Sequence, residues 1–119
     1  MMENSFEDRY TKKQLDRFAE INDVLKHIAG CTIEEFGDGA RRDRLTVLYR
    51  TFYCHYARTA GMSFWDIADK CNFRSHASAV YQYKIHKERL TYDELYRTIH
   101  EKALVYCSIR KYNWIERNY

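Results

Sequence analysis

Residues 63–84, SFWDIADKCNFRSHASAVYQYK, decide the reading of this chain. They spell helix, tight break, helix. Ser63 caps the first helix and Asp66, three residues on, closes a capping box. Phe64, Ile67, Ala68 and Cys71 then fall on one helical face. Asn72 stands where that helix ends. Arg74, Ser75, His76, Ala77 and Ser78 open the second helix with small, hydrogen-bonding and basic side chains. A helix-turn-helix uses this arrangement to bring the N-terminal residues of its second helix against base edges. Two short helices with a polar turn also occur in helical domains that bind nothing, so the flanking sequence matters.

The charge distribution points the same way. The 119 residues carry a net charge of only +3, but residues 41–90 hold ten basic and four acidic side chains, against five and nine in residues 1–40. Within 41–58 the basic residues are Arg41, Arg42, Arg44, Arg50 and Arg58, with no Lys. A local positive patch is what phosphate binding needs, because affinity comes from displacing counterions. Arginine favours planar, bidentate contacts over mere solubility. A solvated charged face is the plainer alternative.

In order, these features are Arg41-Arg42-Asp43-Arg44, Arg50, Tyr56-Ala57-Arg58, Ser63 to Ile67 and Arg74-Ser75-His76-Ala77-Ser78. The series resembles the C-terminal DNA-binding domain of DnaA, the bacterial replication initiator, over about residues 21–90 with a one-residue gap near Gly61. That family runs from a basic loop through a long helix and a Ser-Leu-x-x-Ile helix to an Arg-Asp-His recognition helix. The resemblance implies a Trp-repressor-like helix-turn-helix, at about 63–90. Arg74, Ser75, His76 and Ala77 would face the bases, Arg42 would reach the minor groove, and Arg50 and Arg58 would lie near the backbone. Ser78, Tyr81 and Lys84 complete the expected DNA-binding set, with Arg41 and Arg44 as anchors. Ser75 replaces the family's Asp, Ala77 a Thr and Ala79 a Val, so the initiator's own target sequence does not carry over.

The remaining composition is helical. Proline is absent and only four Gly occur. Four capping-box patterns, Thr11/Gln14, Thr32/Glu35, Ser63/Asp66 and Thr91/Glu94, predict four helix starts. Leu15, Phe18, Ile21, Leu25 and Ile28 stripe a first helix ending at Gly30. Leu45, Leu48, Phe52 and Tyr56 stripe the long helix, and Leu95, Ile99, Tyr106 and Ile109 the last. The expected fold is all-α, a single domain of about six helices over 11–110. Residues 1–10 are expected as a flexible arm and 111–119 as a tail whose Trp114 and Ile115 either fold back or meet a partner. Eleven Tyr, six Phe and two Trp are read mainly as core.

Other functions fare worse. No GxxxxGK[ST] loop exists, so ATP hydrolysis is not expected. Cys31, Cys54, Cys71 and Cys107 are scattered outside metal-ligand spacing and read as reduced thiols of a cytoplasmic protein, with no metal or cofactor expected. His27, His55, His76, His86 and His100 are dispersed, and no catalytic arrangement stands out, so the chain is not expected to be an enzyme. No stretch is long enough to span a bilayer. The expectation is a sequence-preferring double-stranded DNA-binding protein, a replication accessory or regulatory factor of a phage or mobile element. The rival is a protein–protein interaction module on the same fold, with a partner or a second copy on the C-terminal helix and aromatic tail.

Overall fold

The computed structural model describes residues 5–37 and 43–117. Five α-helices pack into one globule: α1 (Lys12–Ala29), α2 (Arg44–Thr59), α3 (Phe64–Lys70), α4 (His76–Tyr92) and α5 (Glu94–Arg110). Short 3-10 turns at Glu7–Arg9 and Ile33–Phe36 precede α1 and α2. No helix among the described residues is long and apolar enough to cross a membrane.

α1 follows the sequence closely. Thr11 and Gln14 form a complete capping box, and Gly30 ends the helix at φ 86°, a left-handed value that glycine adopts without strain. Phe18, Ile21, Val24 and Leu25 are buried on its inner face. Residues 5–10 are not a loose arm. Phe6 and Tyr10 pack on Phe18, and the Tyr10 hydroxyl accepts from the Ser63 amide while donating to Asp66.

That contact changes the expected cap of α3. The Ser63 hydroxyl does accept from the Asp66 amide at 3.1 Å. The Asp66 carboxylate, however, takes Arg9 and Tyr10 rather than reaching back to Ser63. Burial pushes its pKa up, but the hydrogen bonds from Tyr10, Arg9 and Ser63 outweigh this and hold it below the usual carboxylate value.

α2 is the central helix. Asp43 caps it, accepting from the Thr46 amide and hydroxyl. Leu48, Phe52, Tyr53, Cys54, Tyr56 and Ala57 are buried together with Thr46, Arg50 and Thr51, so apolar and polar sides are both covered. The Thr51 hydroxyl bonds Gln82 Oε1 at 2.5 Å and ties α2 to α4. Leu45, expected on the stripe, is exposed.

The Thr91/Glu94 pattern is not a helix start. α4 continues through Thr91, whose hydroxyl donates back to the Lys87 carbonyl. Asp93 instead adopts an extended backbone and accepts from the Tyr96 amide, capping α5. The Thr32/Glu35 pattern opens only the 3-10 turn Ile33–Phe36. α5 presents Tyr96, Ile99, His100, Ala103 and Cys107 to the core, while Leu95 and Ile109 face outward. Lys111 reverses the chain at φ 63°, and the segment after it folds back. Tyr112 donates to Asp23, Trp114 Nε1 donates to Glu20 and Ile115 is buried. The acidic residues of α1 therefore hold the aromatic tail.

Candidate nucleic-acid interface

The segment 63–84 forms the two helices expected of it. α3 ends in a Schellman arrangement: the Asn72 amide donates to the Asp69 carbonyl and the Phe73 amide to the Ala68 carbonyl. Asn72 sits at φ 59°, a left-handed value that Asn tolerates better than most residues. Cys71–Ser75 make the turn into α4. Burial of Ala79, His86 and Leu90 holds α4 to the core, and α2 and α3 are both packed against it.

At the start of α4 the side chains of Arg74, Ser75, His76, Ala77 and Ser78 are all exposed. Ser75 occupies the N-cap position but makes no side-chain cap bond. The amides of a first helical turn have no intrahelical acceptor and carry the positive end of the helix dipole, a favourable setting for an anion. The His76 ring stacks on the exposed Trp65 indole, with centroids 4.4 Å apart and planes 19° apart. Trp65 lies off the buried face of α3, which made it unremarkable in sequence. The stack restricts His76 to a narrow range of orientations.

Further along α4, Tyr81 is 56 % exposed and Lys84 is also exposed. A cleft of about 460 Å³ beside Ala77, Ser78 and Tyr81 runs into a shallower one shared by Tyr81 and Arg44. One continuous surface thus joins Arg44, Tyr81, Ser78 and Ala77. The Arg44 guanidinium is engaged by Asp93 at 2.8 Å. Asp69, also exposed, is an acidic neighbour of Arg74 around the turn.

Arg58 does not share this surface, and Arg50 meets it only as a buried wall of the cleft beside Ala77, Ser78 and Tyr81. Arg50 is only 2 % exposed, its guanidinium 5.6 Å from the centroid of the Phe73 ring, and it is a core residue rather than a backbone contact. Its position on α2 faces the α3–α4 turn, where stem and ring pack together. Arg58 is half-buried; its Nη1 donates to the Met62 carbonyl and its guanidinium lies 4.4 Å from the Phe64 ring centroid. It fastens the α2–α3 connection. Arg41 and Arg42 lie outside the described residues. Comparisons with protein families, with curated proteins and with solved structures return no match. The case for a function therefore rests on this surface.

The other residues that sequence patterning left unassigned are the histidines. His86 and His100 are buried, and His55 is half-buried with its ring stacked on His86. Cys54 and Cys71 lie with sulfurs 3.8 Å apart inside the core, and burial raises the Cys54 pKa well above that of a free thiol. Cys107 is likewise pushed up, to about 12, by burial. Neither is a thiolate at neutral pH.

Proposed function

We propose that the chain is a sequence-preferring double-stranded DNA-binding protein that reads the major groove with the start of α4. The observation that carries this reading is the exposed run Arg74–Ser78 on a helix fixed to two others. Arg74, Ser75, His76 and Ser78 supply donors and acceptors for base edges, and Ala77 permits close approach. Tyr81, Lys84 and Arg44 lie beside them as sugar and phosphate contacts. Trp65 positions His76. Arg41 and Arg42 are the loop arginines that the resemblance to the DnaA C-terminal domain assigns to the phosphates and the minor groove. The mechanism is equilibrium binding, suited to a cytoplasmic replication accessory or regulatory factor.

Selection of bound sequences from a random duplex pool, followed by gel shift at two salt concentrations, tests the reading. A short motif should be enriched, and affinity should fall as salt rises. Lys84→Ala should weaken binding to all duplexes alike and reduce the slope of log affinity against log salt by about one unit. Absence of any salt-dependent duplex binding would favour the protein-interaction reading instead. The feature favouring that alternative is the exposed pair Val105 and Ile109, one turn apart on α5.

A further inference from the structure

Three side chains from distant parts of the chain converge where the C-terminal segment crosses α2 and α4. They are His55 of α2, His86 of α4 and Glu116 of the returning segment, and one ligand atom from each lies within 4.8 Å of the others. His55 Nε2 is 2.8 Å from Glu116 Oε1, and His86 Nε2 is 3.9 Å from Glu116 Oε2. His86 is 1 % exposed, and its Nε2 is buried with no hydrogen-bond partner. A desolvated imidazole nitrogen aimed at a carboxylate, yet too far to bond it, is an uncommon arrangement.

We propose that His55, His86 and Glu116 form a binding site for a divalent transition-metal ion, Zn²⁺ by its donor set, which clamps the C-terminal segment onto α2 and α4. Two imidazole nitrogens and one carboxylate oxygen are ligands that Zn²⁺ accepts, leaving a fourth position for water. Ligand atoms on a tetrahedral zinc at ordinary bond lengths stand roughly 3.3 Å apart, and the three ligand atoms, all within 4.8 Å of one another, reach that spacing by movement of the His55 and Glu116 side chains.

The outer groups suit a metal. His86 Nδ1 is 2.7 Å from the Tyr96 hydroxyl, which can accept its proton and leave Nε2 as the metal-binding lone pair. His55 Nδ1 lies 3.5 Å from the Tyr83 carbonyl. The Glu116 amide donates to the Tyr56 hydroxyl, fixing the backbone beside the carboxylate. His100 is occupied differently, its Nε2 2.6 Å from the Tyr56 hydroxyl.

The two imidazoles stack with centroids 3.6 Å apart and planes within 12°. A metal lies near the plane of each ring that binds it, so His55 must turn out of the stack. His55 and Glu116 are the less buried members and make this adjustment, while Tyr96 holds His86 still.

The full chain, stripped with chelator, is titrated with ZnCl₂ by calorimetry and with CoCl₂ by absorbance, and melted with and without Zn²⁺. One ion should bind per chain, raise Tm, and give a tetrahedral cobalt spectrum without a strong thiolate charge-transfer band. Glu116→Gln and His55→Ala, with wild-type circular dichroism, should each lose at least about tenfold in affinity. Cys31→Ser, at the least buried cysteine, should lose nothing. No binding, unchanged affinity in both ligand variants, or a thiolate band would overturn the proposal. It stands or falls separately from DNA binding.

Discussion

Arg50→Ala is expected to lower the stability of the protein by about 2–4 kcal/mol, measured as a shift in urea midpoint at constant slope. Arg50 is among the largest fully buried side chains, flanked by Val47 and Phe73. Alanine removes the packed stem and the guanidinium beside Phe73 and leaves a void. Arg50→Met keeps most of the volume and should cost less. A phosphate-gripping arginine behaves differently: its loss leaves stability alone and reduces the salt slope of DNA binding. An unchanged urea midpoint for Arg50→Ala would contradict the burial argument.

Acidification is expected to weaken the fold before most carboxylates are protonated. Burial holds His86 down to about 2 and, against the opposing pull of Glu116 and Glu101, His100 to about 4. In the unfolded chain both histidines take up protons near pH 6.5. Between pH 6.5 and 4 the unfolded state therefore binds more protons, and stability falls as pH falls. With both side chains at most 1 % exposed, each histidine contributes on the order of 3 kcal/mol across that window. Asp66, whose pKa is also depressed, adds a further loss below about pH 4. Urea midpoints at pH 7, 5.5 and 4.5, with chelator present, should decline steadily. Flat midpoints down to pH 4.5 would mean that these rings are more hydrated than the packing implies.

The sequence was most legible where local chemistry decides local structure. The Thr11/Gln14 box, Gly30 and Asn72 all mark boundaries that the chain uses. It was least legible where two local signals compete. Thr91 satisfies its hydroxyl within α4, and the extended Asp93 supplies the next cap. That moves the start of α5, and packing buries Tyr96, Ile99, His100, Ala103 and Cys107 rather than Leu95 and Ile109. α2 hid its environment for another reason. A helix covered on several sides buries Arg50, Thr46 and Thr51 beside its apolar residues, so a one-sided stripe understates its burial.

The candidate interface divides in the same way. The exposure of 74–78 follows from a helix start that buries nothing before Ala79, and sequence pattern is enough to see it. Arg50 and Arg58 carry the same charge but point to the core and to the α2–α3 connection, which only packing reveals. His55, His86 and Glu116 lie about thirty residues apart each, so no ligand spacing announces them.

The most direct test of the central claim compares wild type, Arg74→Ala and His76→Ala on the selected duplex and on random DNA. Both side chains are exposed at the start of α4, and neither is part of the core. Each substitution should cost about 1–3 kcal/mol on the selected duplex and much less on random DNA, with helical content unchanged. Specificity should relax at one or two base pairs. Equal losses on both duplexes would show that the helix touches only the backbone, and no loss on either would contradict DNA reading by α4 altogether.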